Sequence, residues 1–368
     1  MSLQSLFIKN YRNLTEIEVD LGAKVNFLFG ANGSGKTSFL DACYFLSSAR
    51  SFRASERHSC IKEGEGECLV RGNVRKDSIL LNIGVSKDRQ GLTRIKINER
   101  NVDRTSDLAK ELPTVFLGPE SMGLLIGPPA QRRSFMNWGA FHVEPRFRDI
   151  WREANRCLRQ RNQALQFNKR DSTQIEVWSE ELVKISERID QVRRDYFQQF
   201  SPRFEEVLGR ISNLENVEIQ YFSGWAEDKG LKESMKINSE MDLRRGYTGS
   251  GFHRADLKVL VNHKPADKFC SRGELKALVW SMKLAQGTLL SDLNEQDKEN
   301  ESLIFLIDDL ASEFDDYHRR KVQEYLYQTN HQAIVTGIDE WSLFGGGDIC
   351  DGRVFHVKHG KLKCNMEK

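Results

Sequence analysis

The seven cysteines of this 368-residue chain are scattered, odd in number, and form no C-x-x-C pair (Cys43, Cys60, Cys68, Cys157, Cys270, Cys350, Cys364). That pattern argues against a disulfide framework and a structural zinc module, and for a reduced, cytoplasmic protein. No stretch approaches the about 18 apolar residues of a membrane span. The opening Met1-Ser2-Leu3-Gln4-Ser5-Leu6-Phe7-Ile8 lacks the basic start and cleavage site of a signal peptide, and it reads as a first strand. A formal net charge of +2 is too small to require a polyanionic partner, so any nucleic acid must meet a local basic face. No internal repeat and no low-complexity segment appears. The apolar and charged fractions are those of an ordinary globular protein of one large or two medium domains.

Against these absences stands one dense motif. Gly30-Ala31-Asn32-Gly33-Ser34-Gly35-Lys36-Thr37 is a full G-x-x-x-x-G-K-[ST] phosphate loop. The preceding Val25–Phe29 is apolar and β-prone, and the following Ser38–Leu46 reads as a helix. Glycines allow successive N–H groups to surround a phosphate, and the helix N-terminus adds partial positive charge. Lys36 reaches the β/γ-phosphates and the Thr37 hydroxyl can ligate Mg²⁺. A nucleoside triphosphate is the expected ligand.

Around the loop, residues 1–118 read mostly as strand, with period-2 segments at Leu69–Val74, Ile79–Val85 and Thr93–Ile97. Leu112–Leu117 reads as a short buried strand stopped by Gly118-Pro119. From about 132 to 211 the period becomes helical, with Phe147, Ile150, Trp151, Ala154 and Leu158 on one stripe and Ile175, Trp178, Leu182, Ile185 and Ile189 on another. Asn168–Ser172 is the expected turn of an antiparallel helical hairpin, with helices of roughly 35–45 Å. Residues 216–262 return to strand-like text, a helix is expected over Gly273–Leu290, and an acidic loop over Ser291–Glu301. The C-terminal Val354–Leu362 reads as a small hairpin.

The apolar run Leu303–Ile307 ends in Asp308-Asp309. A buried parallel strand delivers such carboxylates to the edge of a sheet where Mg²⁺ bridges phosphates. Asp308 would hold Mg²⁺ and Asp309 would orient or deprotonate the attacking water. Ser271-Arg272-Gly273-Glu274 opens a helix and makes a second anion-binding corner. One nucleotide does not need two γ-phosphate cradles, so the second is expected to cap a nucleotide held by another copy; an ordinary N-cap by Ser271 is the alternative.

The phosphate loop, Ser-x-Gly-[Gln/Glu], the apolar strand with paired acids, and Ser312-x-x-Asp315 occur in an order that resembles an ABC-type ATPase head. Further segments resemble the bacterial RecF family of recombination-repair proteins across essentially the whole chain. They are Phe7–Leu14, Arg50–Arg53, Pro119-Glu120, Gly127–Phe135, His253–Leu257 and Ser271–Gly273. The resemblance implies an α/β fold: an ABC-type phosphate-loop ATPase head with a mixed-sheet lobe (1–118 and 251–368) and a helical arm lobe (119–250). It implies ATP and Mg²⁺ as ligands, an ATP-dependent homodimer, DNA binding at gap junctions or duplex, and work with RecR and RecO in bringing RecA to gapped DNA. By the same resemblance Arg12 and Asn13 would lie near the nucleotide.

Departures from the family pattern are Cys270 and Glu274 around the signature, Phe252 before His253, and no histidine after Gln332–Val335, where Thr336 or Asp339 is the nearest polar candidate. Asp309 is one methylene shorter than the glutamate of most such heads, which suggests slow ATP turnover acting as a timer. The basic residues with the best claim on DNA are Arg132, Arg133, Arg148, Arg152, Arg156, Arg159, Arg161, Lys169 and Arg170; of these Arg148, Arg152, Arg156 and roughly Arg159 share one helix face able to follow a phosphate track. A solvated helix face is the alternative reading of that run. The rival function is the ATPase subunit of a membrane transporter, against which stand the missing histidine and the long helical arm.

Overall fold

The computed structural model describes residues 1–53, 60–76, 78–167, 172–295, 303–329, 331–339 and 352–367. The chain divides into two compact units: Met1–Met122 with Glu206–Asn213 and Lys276–Lys368, and Gly123–Glu205 with Leu214–Leu275.

The first unit opens with hairpin β1 (Ser2–Tyr11) and β2 (Leu14–Asp20), followed by β3 (Val25–Phe29), the phosphate loop and helix α1 (Lys36–Ser48). Strands β4 (Glu67–Lys76), β5 (Ile79–Asp88), β6 (Thr93–Ile97) and β7 (Arg100–Val102) follow, then α2 (Thr105–Glu111) and β8 (Thr114–Leu117). Strands β1, β2 and β4 to β7 build an antiparallel sheet of order β2-β1-β4-β5-β6-β7. In β4 buried and exposed residues alternate, because only one face meets the core.

The second unit contains α3 (Gly123–Ile126), α4 (Pro129–Val143), α5 (Phe147–Phe167), α6 (Ser172–Ile211, whose last residues belong to the first unit), β9 (Val217–Phe222), α7 (Gly230–Ile237) and α8 (Ser239–Arg245). Strands β10 (Asp256–Val261) and β11 (Lys264–Pro265) complete a three-stranded sheet with β9, and α9 (Ala266–Phe269) leads into α10 (Arg272–Glu295). Its core joins Phe147, Ile150 and Ala154 of α5 to Leu182, Ile185 and Ile189 of α6, with Trp225, Met235 and Phe252. A buried ion pair, Arg161–Asp242 at 2.9 Å, fastens α5 to α8.

Back in the first unit, β12 (Ile304–Ile307), α11 (Leu310–Glu313), α12 (Asp316–Gln328), β13 (Gln332–Gly337), β14 (Arg353–Lys358) and β15 (Lys361–Glu367) follow. They form the second six-stranded sheet, β15-β14-β3-β13-β12-β8, parallel except for β15. Strands β8, β12 and β13 are buried throughout, which is why apolar residues dominate them, while the buried Gln332 and Thr336 of β13 are held by hydrogen bonds. Helix α1 packs against strands of both large sheets and buries most of its residues, so its sequence shows no polar stripe.

Four expectations are corrected. Helix α6 has 40 residues, about 60 Å at 1.5 Å per residue, because its apolar period runs on through Tyr196, Phe200, Phe204 and Val207 past Pro202. The stretch 216–262 is not all strand: Leu231 and Met235, one helical turn apart, bury the face of α7. The chain rejoins the first unit at Lys276 rather than at 251, since β10 pairs with β9 and keeps 256–261 in the second unit. Helix α10 also runs to Glu295, into the expected acidic loop, whose residues 296–301 lie outside the described residues. Most of the expected turn, 168–171, lies outside them too.

Candidate nucleotide site

The site is assembled at the C-terminal ends of β3, β12 and β13, where parallel strands present their last residues side by side (Ile307 opposite Val335, Gly337 opposite Phe29). Gly35 caps α1 at φ +117°, a dihedral that strains any other residue. At Gly30 a side chain has no room: a Cβ would stand 2.2 Å from the Val357 carbonyl. Gly33 sits at φ +78° with nothing within 4 Å of a Cβ, so it serves the turn and not packing. The turn of the β14–β15 hairpin closes on the loop, with the Gly360 amide donating to the Ser34 carbonyl at 2.8 Å.

Lys36 is buried and donates to the loop's own carbonyls, Gly30 at 2.6 Å and Ala31 at 3.0 Å. Burial pushes its ammonium below the ordinary lysine value, while Asp309 and Asp308 pull the other way. Thr37 donates its hydroxyl to Asp308 at 3.0 Å, joining two motifs 271 positions apart. Asp308 receives a second hydroxyl from Thr336 at 2.8 Å. Its carboxyl is raised above the usual range by burial, against the lowering effect of these two hydrogen bonds. Thr336 also accepts from the Asp309 amide at 2.9 Å, so one hydroxyl on β13 ties both acids together. Of the two residues considered in place of histidine, Thr336 is thus within the site.

Asp309 adopts a left-handed conformation (φ +52°, ψ +55°), uncommon for a residue with a side chain and a mark of functional sites. Its Oδ1 is buried without a hydrogen-bond partner, as is the Ser34 hydroxyl. Two orphaned polar atoms beside a lysine and a hydroxyl–carboxylate pair fit a ligand rich in oxygen and negative charge. The hard oxygens of Thr37 and Asp308 suit Mg²⁺. Among the described residues no group of three or more His, Cys, Asp or Glu side chains is placed to hold a metal.

Arg12 and Asn13 divide. Asn13 touches the loop, donating to the Gly33 carbonyl at 3.3 Å. Arg12 instead pairs with Asp41 of α1 at 2.6 Å and donates to Ser51 at 2.7 Å. Asp41 is fully buried and also accepts from Tyr11 (3.0 Å), Ser51 (2.8 Å) and the Phe52 amide (2.9 Å). It fixes α1 to the end of β1 and to the loop after the helix. The sequence shows only an acid in an apolar helix; nothing local names its partners.

Ser271 and Gly273 belong to the second unit and the phosphate loop to the first. Ser271 and Glu274 form a reciprocal capping box: the Ser271 amide donates to the Glu274 carboxylate at 2.7 Å, and the Glu274 amide to the Ser271 hydroxyl at 3.3 Å. These bonds hold the Glu274 carboxyl below its ordinary value. Ser271 is exposed and Glu274 half-buried; Gly273 is exposed too, and a Cβ there would meet nothing within 4 Å.

The expected DNA-facing arginines also separate. Arg132 is committed inside the second unit, bidentate to Asp256 (2.7 and 3.1 Å) and bonded to the Gly127 carbonyl at 3.0 Å, so it has little left for a phosphate. Arg133 donates to the Ala255 carbonyl at 3.1 Å. Arg161 is buried and paired with Asp242 at 2.9 Å, so it is not a surface cation, and Lys169 and Arg170 lie outside the described residues. Arg152, Arg156 and Arg159 are exposed on α5 and Arg148 is half-buried there, with Asp149 near Arg148 and Arg152 (3.8 and 3.3 Å).

The geometry has close relatives. The RecF/RecN/SMC N terminal domain family matches residues 2–359. A DNA replication and repair protein RecF of Stutzerimonas stutzeri (strain A1501) is 38% identical, covering 98% of this chain and 97% of its own. The RecF of Pseudomonas aeruginosa (strain LESB58) is 37% identical with the same coverage. The solved structure of the recombination mediator protein RecF-ATP in the RecFOR pathway superposes with a TM-score of 0.86 at 25% identity, covering 99% of this chain and 98% of that one. An Smc head bound to the C-winged helix domain of ScpA shares the fold at TM-score 0.58 and 14% identity, covering 99% and 97%. The expected ABC-type ATPase head is therefore the fold observed, and the chain belongs to the RecF family within the RecF/RecN/SMC N-terminal-domain ATPases.

Proposed function

We propose that this chain is an ATP-gated, DNA-binding recombination mediator of the cytoplasm, which dimerises on ATP and helps RecA onto gapped DNA with RecR and RecO during replication, repair and the SOS response. The single observation that carries the ATP part is the convergence of Lys36, Thr37, Asp308, Asp309 and Thr336 at one sheet edge, with buried Asp309 and Ser34 oxygens left for a ligand. The relatives named for DNA replication and repair support the rest. No helix among the described residues is long and apolar enough to cross a membrane. The same relatives favour this reading over the ATPase subunit of a transporter.

Lys36 would exchange the loop carbonyls for the β/γ-phosphates, and the loop amides and the start of α1 would stabilise the remaining negative charge. Thr37 and Asp308 would hold Mg²⁺, which when bound neutralises charge between the phosphates. Asp309 would hold the attacking water, its backbone fixed by Thr336. The shorter carboxylate of aspartate supports slow turnover, a timer on the closed state. Ser271 and Gly273 are solvent-facing and Gly273 is not needed for packing within the chain, which suits a cradle offered to a second copy. Arg148, Arg152, Arg156 and Arg159 would meet DNA phosphates with salt-sensitive, largely sequence-independent affinity. Sedimentation with and without ATP tests the reading: ATP should convert monomer to dimer in the wild type and not in Lys36→Met. A wild type that stays monomeric at saturating ATP, with and without DNA, would refute it.

A further inference from the structure

The His253–Leu257 segment is a family motif that lies in the second unit, and the nucleotide site makes no use of it. It gathers positive charge. Arg133 spends one guanidinium nitrogen on the Ala255 carbonyl at 3.1 Å. Arg254, exposed, lies over the Tyr247 ring at 5.6 Å and approaches the Thr248 carbonyl at 3.5 Å. His253 reaches the same carbonyl through Nε2 at 3.0 Å. Nearby, Arg193 is fully buried yet held by neutral oxygens, Asn137 Oδ1 at 2.8 and 3.0 Å and the Phe252 carbonyl at 2.8 Å.

The motif's own carboxylate does not balance these charges, because both oxygens of Asp256 are taken by Arg132. Among the described residues Arg133, Arg193 and Arg254 form no ion pair. The cations act on one another: Arg133 lies below its ordinary value through burial and through Arg193, Arg254 and Arg132, with Asp256 opposing. Asp190 acts on Arg193 in the same opposing sense, but its carboxylate is paired with Arg194 at 2.8 Å. Guanidinium groups that share so few carboxylates, each already engaged elsewhere, are costly unless an anion completes them. Paired guanidinium forks match the oxygens of a phosphate.

We propose that Arg133 and Arg254, with Arg193 behind them and His253 alongside, form a phosphate-binding site that grips a backbone phosphodiester of DNA. The commitment to DNA rests on the function proposed above and on continuity. Arg161 of α5 donates to the Thr248 hydroxyl at 2.7 Å, so the helix bearing the exposed Arg152, Arg156 and Arg159 passes beside this motif.

The test uses the full chain with ATP and a fluorescent duplex, followed by anisotropy across a salt series. Arg254→Gln, Arg133→Gln and the double variant are compared with Arg152→Gln/Arg156→Gln, and each is checked by thermal melting and ATP titration. Loss of one phosphate contact should lower the salt slope by about 0.9 and weaken binding about tenfold near 0.15 M salt. Arg254→Gln, at an exposed position, supplies the answer if the double variant does not fold. An unchanged slope in folded Arg254→Gln and Arg133→Gln, with binding lost in the α5 variant, overturns the site and leaves the DNA reading standing. A wild type that binds no DNA sinks both. Loss of ATP-dependent dimerisation with an intact DNA slope assigns these arginines to nucleotide phosphates and overturns the proposal.

Discussion

Replacing Thr336 by valine keeps the shape of a fully buried side chain on β13 and removes one hydroxyl. That hydroxyl has two tasks, donating to Asp308 at 2.8 Å and accepting from the Asp309 amide at 2.9 Å. Its loss leaves Asp308 with only the Thr37 hydroxyl and strands the Asp309 N–H. A hydrogen bond to a charged group contributes about 1.5–3 kcal/mol, and an unsatisfied buried donor costs about 1–3 kcal/mol. These overlap, so the expected destabilisation is about 3 kcal/mol, or a melting temperature lower by roughly 6–12 °C for a unit of this size. The Asp308 carboxyl should rise further, because the Thr336 bond is one of the influences lowering it. In catalysis, ATP hydrolysis should fall by about tenfold or more, with ATP affinity changed by less than about threefold, since Thr336 positions Asp309 and Lys36 carries the binding. Threonine to serine should restore both. Scanning calorimetry and a coupled phosphate-release assay read these quantities. A Thr336→Val protein that melts and hydrolyses like the wild type would refute the claim that one hydroxyl couples the two acids.

Ser271→Arg should leave the monomer's ATP affinity within about twofold while abolishing ATP-dependent dimerisation in sedimentation; Ser271→Ala, which loses only the cap, should cost about 1 kcal/mol in a denaturant melt. Arg161→Met should unfold the second unit early, because it leaves Asp242 charged and buried; a loss of about 3–5 kcal/mol is expected, visible as a separate early transition in limited proteolysis against temperature. His331 is buried and held down at about 4, chiefly by desolvation, and its Nδ1 accepts from the Leu303 amide. A depressed histidine adds stability that is complete above the unfolded value near 6.5 and is lost as the pH falls toward 4. His142, at about 3 through burial, acts in the same direction in the second unit. Denaturant melts at pH 7, 6 and 5 should therefore show stability falling by about 1.4 kcal/mol per pH unit per histidine below pH 6.5, and His331→Gln should flatten the fall.

Motifs whose meaning lies in their own spacing are legible from the amino-acid order alone. The phosphate loop, the apolar strand before Asp308 and the C-terminal hairpin each announce themselves within about ten residues, and the order of the motifs carries the family. What stays hidden depends on partners remote in the chain. Asp41 gives no local sign of its four donors, and Arg132 reads as a surface cation until β10 brings Asp256 to it. Ser271 reads equally as a cradle and as a cap, because both uses draw on the same amides at a helix start. The lobe boundary that the resemblance put at 251 lies at 276 for a related reason, because the pairing of β10 with β9 is a long-range fact that no local text carries.

The floor of the nucleotide site is woven from both ends of the polypeptide. Strand β3 lies between β13 and β14, with Asn26 opposite both Ile334 and Arg353, and the Val357 carbonyl bounds Gly30. During synthesis the loop therefore leaves the ribosome roughly 300 residues before its neighbours exist, and a nascent chain carrying all of the glycines still has no wall to shape them. On the function proposed above, nucleotide capture would then belong to finished molecules only, because the strands that wall the loop are among the last parts of the chain to be made.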